Sequence, residues 1–453
     1  MTEARPRSVL GLVFLTVFLD IVGFSIIFPL FPGMLDYYFT AEGADSFIGS
    51  IVTQLQEFAG EDRNAVQTLF GGLLGSVYGL LQFIFATIWG GLSDRIGRRP
   101  VLLITLSGTV FAYVFWSLAA SFWVLVFARV LGGAMAGNIS TASAAVADTT
   151  SGKDRAKGMG IVGMAIGLGF ILGPALGAIF FGLTKPEAGM DEVALTSAGA
   201  SFGLNPFTGA ALASCALALI NLLWVAKRFP ETLPPERRGQ SQSDRSLNPF
   251  ARLRTLAFPG VVRTNLVYFL YLTAFAAIEF TLTFLAAARL GYDHGDLAWM
   301  FVFVGFVIAF VQGGLVRRLA PRYGEARLAR FGLALTLPGF VLIGIAETSG
   351  MLYAGLACMA VGSAFVMPCL SALVSRYCPA DRQGLALGTF RSMGSLSRAV
   401  GPILGSLLYW RFGSAAPYWV GAGFLLIPLG LALALPPVPA QEETDGTATP
   451  AAD

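Results

Sequence analysis

Apolar residues run for about twenty positions at a time along this chain, over and over, with few charges among them. Wound as an α-helix, such a run rises roughly 30 Å, the thickness of a bilayer's hydrocarbon core. Inside lipid every backbone N–H and C=O needs an internal partner, which leaves only helices and closed barrels. Barrel strands alternate polar and apolar residues; these runs are continuous, so they read as helices. Spans fall at about 9–35, 66–92, 101–119, 123–147, 156–182, 207–226, 262–288, 297–316, 327–346, 351–375, 384–410 and 416–436, twelve in all. Only 13% of the residues are charged and mean hydropathy is +0.70, against roughly a quarter charged in soluble domains. The chain is predicted to be an all-α integral membrane protein.

Positive charge orients it. With the amino terminus in the cytoplasm, 23 of the 30 lysines and arginines fall in inner segments and 4 in outer ones. Arg129, Arg391 and Arg398 remain inside spans. This bias follows the positive-inside rule, and one missed span would scramble it, so both termini are predicted to be cytoplasmic. Residues 1–226 then form one six-helix bundle and 262–436 a second. The Arg-, Pro- and Ser-rich segment 227–261 links them, and 437–453 reads as a disordered tail. The acidic outer segment 37–65 has room for a short amphipathic helix over 47–58. The first apolar run is too long for a cleavable leader and carries Asp20, Pro29 and Pro32.

The bundles read as distant repeats. Gly-Phe-Ile-Leu-Gly-Pro-Ala-Leu-Gly at 169–177 has a counterpart in Ser-Arg-Ala-Val-Gly-Pro-Ile-Leu-Gly at 397–405. Gly90-Gly91-Leu92 returns as Gly313-Gly314-Leu315. Repeats six spans apart imply an axis along the membrane normal, with a substrate path between the halves.

The loop Gly90-Gly91-Leu92-Ser93-Asp94-Arg95-Ile96-Gly97-Arg98-Arg99-Pro100 is too short to leave the membrane surface, so its three arginines sit at one interface. It resembles the signature between the second and third helices of the major facilitator superfamily. Arg129-Val130-Leu131-Gly132-Gly133 resembles that family's fourth-helix motif, and Ala147-Asp148 with Arg155 and Gly158 its continuation. Gly169, Gly173, Pro174 and Gly177 match the fifth-helix motif of its antiporters, with Ala178 where a final glycine is usual. Phe229-Pro230-Glu231-Thr232 resembles the end of the sixth helix. Leu19 to Phe24, continuing through Pro29 and Pro32, resembles tetracycline-type drug:proton antiporters, and Ile278 to Leu285 resembles tetracycline-transporter-like (TETRAN) proteins, associated with organic anions. The resemblance implies twelve helices and alternating access. It further implies a cytoplasmic gate of Gly90, Asp94, Arg95, Gly97, Arg98, Asp148, Arg155 and Glu231, with Asp94 docked at the amino end of the eleventh helix near Asp381, Arg382 and Gln383. The second-half copy has Arg317 in place of Asp94, so a single latch is expected.

Charges inside spans cost at least a few kcal/mol each, so each needs a reason. Helix depth puts Asp20 roughly 18 Å from the inner edge and Arg129 roughly 10 Å from the outer edge, close enough to pair. Such a pair is either a structural salt bridge or a proton switch, since burial favours the neutral acid and a guanidinium the carboxylate. Glu279, in mid-span, is the second candidate proton carrier. Arg391 and Arg398, two turns apart on one helical face, are its candidate partners or contacts for an anionic substrate. Gln82, Asn138, Asn221 and Gln312 either line a cavity or bond helix to helix. Phe24, Phe28, Tyr78, Tyr268 and Tyr271 are aromatic candidates for an apolar pocket. Pro174 and its glycines are expected to bend and tightly pack the fifth helix.

These features point to a secondary transporter that exports a small lipophilic or anionic compound in exchange for protons. An importer or uniporter of a sugar or organic acid is the alternative within transport; a receptor or scramblase is the alternative outside it. The lone histidine, His294, four cysteines without metal spacing and the missing phosphate-binding loop argue against metal, cofactor, ATP or enzymatic chemistry. Net charge of +3 excludes a nucleic-acid footprint. The chain reads as a monomer, and its composition suggests a bacterial inner membrane.

Overall fold

The computed structural model describes residues 6–60, 62–150, 152–184, 205–239, 249–256, 258–379 and 382–438. In chain order its helices are α1 (Pro6–Ser25), α2 (Phe31–Glu42), α3 (Phe47–Ala59), α4 (Arg63–Ile96), α5 (Arg98–Ser117), α6 (Phe122–Met135), α7 (Asn138–Thr149), α8 (Gly152–Thr184) and α9 (Thr208–Arg228). There follow α10 (Pro249–Leu256), α11 (Pro259–Leu290), α12 (His294–Phe310), α13 (Arg317–Tyr323), α14 (Glu325–Gly344), α15 (Ser349–Tyr377), α16 (Gln383–Phe412) and α17 (Ala416–Leu433). Among the described residues, 11 helical stretches are long and apolar enough to cross a membrane. The remaining long helix, α16, has 30 residues but carries Arg391, Arg398 and several serines.

Two expected spans are broken, for local reasons. The first ends at Ser25, passes through a single 3₁₀ turn (Phe28–Leu30) and restarts as α2; Pro29 and Pro32 lack the N–H groups that would carry the helix through. The fourth divides into α6 and α7 at Ala136 and Gly137. There the Trp89 indole donates to the Ala134 carbonyl at 2.7 Å and takes up a backbone acceptor freed by the break. A side chain at position 137 would meet the Trp89 ring at 2.5 Å. The outer helix expected over 47–58 is α3; the Ser46 side chain accepts from the Gly49 N–H and caps it.

The repeats are visible in packing. α8 lies on α1 and α16 lies on α11. A side chain at Gly173 would stand 2.6 Å from the Val22 carbonyl oxygen, and one at Gly177 would stand 2.0 Å from that of Ile26. In the other half, one at Gly401 would stand 3.1 Å from the Thr273 oxygen, and one at Gly405 would stand 2.6 Å from that of Ala277. The same small-residue seam therefore docks equivalent helices, and Pro174 and Pro402 occupy equivalent places within continuous helices.

The halves meet along α4 with α16 and along α8 with α12. At the end bearing α2 and α3 the join is tight. The Phe58 and Trp410 rings lie 4.3 Å apart, and the Trp410 indole donates to the Ala59 carbonyl at 3.0 Å. Gly79 lets α4 approach the backbone of Arg398 and Ala399.

Candidate functional site

Among the described residues, cavities open between the halves, and two of them share a wall. One, of about 50 Å³, is walled by Phe24, Phe28 and Phe31, by Tyr78, Gln82 and Arg129, and across the join by Glu279, Phe280 and Arg398. The other, of about 80 Å³, runs between Gly167 of α8, Phe275 of α11, Ile308 and Gln312 of the eighth span, and Met359, Ser363 and Met367 of α15. Phe170, Ala276, Glu279 and Arg398 line both. Glu279 thus stands at the partition, where the Arg398 guanidinium lies over the Phe170 ring at 4.5 Å. The negative face of an aromatic ring attracts a cation held over it, which fixes the guanidinium in a largely apolar wall.

Arg129 faces the first cavity from α6 and is 3% exposed. Its guanidinium lies 5.2 Å from both the Tyr78 and the Trp116 rings, and its Nε has no hydrogen-bond partner among the described residues. Asp20 is not its ion-pair partner. The Asp20 carboxylate accepts instead from the Asn138 amide at 2.8 Å, while the Asn138 oxygen accepts from Thr105. Arg129 and Asn138 are nine residues apart, about 13 Å along a helix. Asn138, and the Asp20 carboxylate bonded to it, therefore sit well along the span from the arginine. Tyr78 and Tyr113 lie within electrostatic reach of both charges.

The other polar candidates divide cleanly. Gln82 and Gln312 line cavities. Asn138 bonds Asp20, and Asn221 donates to the Thr16 carbonyl at 2.9 Å, so both join helix to helix. Arg391 lines neither cavity and stands within electrostatic reach of Tyr268, whose ring stacks on Phe390. Phe24, Phe28 and Tyr78 line the first cavity, and Tyr268 and Tyr271 line neither.

At the short loop between α4 and α5, buried Arg98 is a hub. It pairs with Asp94, with Asp148 at 2.8 Å, and donates to Ser93 at 2.7 Å. Glu231 caps α5, accepting from the Arg98 and Arg99 N–H groups at 2.9 and 3.3 Å. Gly97, at φ 110°, makes room: a side chain there would stand 2.3 Å from the Glu231 carboxylate. Gly90 packs near Ser140. Arg95 is exposed and outside these pairs. The Arg155 and Gln383 side chains and Asp381 lie outside the described residues, as do 240–248 of the linker and the tail from 439.

The family model of the Major Facilitator Superfamily matches residues 13–324 and 318–452. The chain belongs to the major facilitator superfamily. It is a multi-pass membrane transporter rather than an enzyme, as members of that superfamily are. Major facilitator superfamily domain-containing protein 10 of Bos taurus is 35% identical, over 96% of this chain and 94% of its own length. The class C tetracycline resistance protein of Escherichia coli is 26% identical, over 96% and 97%. The crystal structure of the human organic anion transporter MFSD10 (TETRAN) superposes with a TM-score of 0.77 at 34% identity, covering 95% of this chain and all of that one. The proton:xylose symporter XylE, at 15% identity and TM-score 0.68, covering 95% and 96%, shares the fold.

Against that superfamily frame, the residue missed in the sequence is Phe170. It sits inside the quoted 169–177 motif, but nothing in one linear sequence says that its ring will meet Arg398 from the other half. Phe31, Phe280 and Thr283 were hidden likewise, among many aromatic and hydroxyl residues of equal standing.

Proposed function

We propose that this transporter exports a small lipophilic or anionic compound in exchange for protons, by alternating access of two six-helix bundles. In this reading residues 1–226 and 262–436 form the bundles, 227–261 links them on the cytoplasmic side, twelve helices span the membrane and both termini are cytoplasmic. The chain works as a monomer in a bacterial inner membrane. Glu279 carries the proton, with Asp20 as a second carrier; Arg129, Arg391 and Arg398 supply the balancing charge. The observation that carries the reading is the position of Glu279, in the wall of both cavities and beside a guanidinium stacked across the join. An acid there meets substrate and the partner half together, so its protonation and the position of the halves bias one another. The aromatic lining suits a lipophilic body, and the two arginines facing the first cavity suit an anion.

The test is efflux from proteoliposomes under an imposed pH gradient. Drug-like aromatic anions should move only with the gradient, and an uncoupler should abolish their movement. Glu279→Gln should retain exchange of substrate for substrate while losing the gradient's drive. Downhill movement indifferent to both uncoupler and substitution refutes the exchange reading in favour of a uniporter.

A further inference from the structure

We propose that the basic end of the eighth span, α13 and the first turn of α14, holds the headgroup of an anionic phospholipid. Arg317, Arg318, Arg322 and Arg327 are exposed there, and among the described residues none has a carboxylate within ion-pairing distance. Glu325, the acid at the start of α14, is taken by Arg376 at 2.5 Å. The membrane-facing surface leading to this cluster is built to match. Trp299, Phe306 and Phe310 are 70%, 69% and 63% exposed, and their spacing aligns them as one stripe down α12. Beyond Phe310 the chain runs on helically through Gly313 and Gly314 to Arg317. Between aromatics and arginines the helix widens into one π-turn, Val311–Val316. At both of its glycines nothing lies within 4 Å of where a side chain would stand. The result is a bare notch in the wall, at the level where apolar surface gives way to charge.

A phospholipid fits this order from end to end. Acyl chains lie along the aromatic stripe, the glycerol enters the notch and the phosphate meets the guanidiniums, which bind it in charge-assisted, often paired hydrogen bonds. A lipid with net negative charge is selected, because a zwitterionic headgroup brings its own cation. The lipid then supplies from the membrane the negative charge that Asp94 supplies from within the chain in the other half.

The experiment places the full chain in nanodiscs of phosphatidylcholine with or without phosphatidylglycerol, and reads retained lipid by native mass spectrometry together with the unfolding midpoint. Phosphatidylglycerol should be retained selectively and raise the midpoint. R317Q/R318Q/R322Q should weaken retention about fivefold per arginine, on the order of a hundredfold in all. R317K/R318K/R322K should keep most of it, and Gly313→Leu should lower it with every charge in place. Equal retention by the wild type and the glutamine variant overturns the proposal. So does equal protection by inorganic phosphate in lipid-free detergent, which would make the site one for a free anion. Should the glutamine variant fail to fold, equal retention of the two lipids by the wild type overturns it as well.

Discussion

The two halves share a packing frame but not a charge plan. Gly177 on Ile26 answers Gly405 on Ala277, so position 26 corresponds to position 277. In that register Asp20 matches Tyr271, and Glu279 matches Phe28. The membrane acids of the first and seventh spans are therefore eight residues out of register, about 12 Å along a helix. One is tied to Asn138 near a helix break; the other faces both cavities. The loops differ in the same way. Arg98 is buried among Asp94, Asp148 and Ser93, whereas Arg317 and its neighbours face outward. Packing is repeated because helix docking needs the same small residues in each half. Charge is not repeated: the acid of each half and the arginines of each loop stand in different surroundings.

The sharpest way to break this comparison is at the loops. Arg98→Ala strands two carboxylates that are mostly sheltered from water, and should cost about 3–5 kcal/mol of stability. Arg317→Ala, in phosphatidylcholine without anionic lipid, should stay within about 0.5 kcal/mol. Thermal or denaturant unfolding of the purified protein checks both; equal losses would mean that the second loop hides a network of its own. The seams come next. Gly177→Ala drives a methyl into the Ile26 carbonyl and should cost about 1–3 kcal/mol. Gly405→Ala, with slightly more room, should cost less, and Gly313→Ala should be close to neutral. A reversed order would sink the equivalence of the seams. The smallest effect is at the cap: Glu231→Gln retains an acceptor for the α5 N–H groups but loses its charge, and should cost about 1 kcal/mol. A loss as large as that of Arg98→Ala would make Glu231 part of the hub itself.

Much of this was legible in the linear chain. Run length placed most of the helices to within a few residues, because a bilayer penalises exposed backbone and charge far more than a soluble core does. The Gly-Pro repeats pointed to the seams, since close backbone approach demands residues without bulk. Glu279, Arg398, Gln82 and Gln312 were singled out because polar groups in apolar runs need a reason. Breaks at Ser25 and Ala136 were not read, although Pro29, Pro32 and Gly137 were in plain view. Proline and glycine are common in membrane helices, and whether one interrupts the helix depends on a neighbour, such as Trp89, able to satisfy the freed carbonyl.

What the sequence alone determined is the class of molecule: helices long enough to span lipid, docked on one another through repeated glycines. These follow from forces that act along the chain or between any helix and its solvent. The tertiary structure decided which charges meet. Asp20 and Arg129 have suitable depths on paper, yet Asn138 claims the acid and two aromatic rings claim the base. Phe170 and Arg398 lie 228 residues apart and meet at a distance of 4.5 Å. A hydrogen bond or a cation over a ring depends on angstroms in three dimensions, and no periodicity in the sequence records that distance.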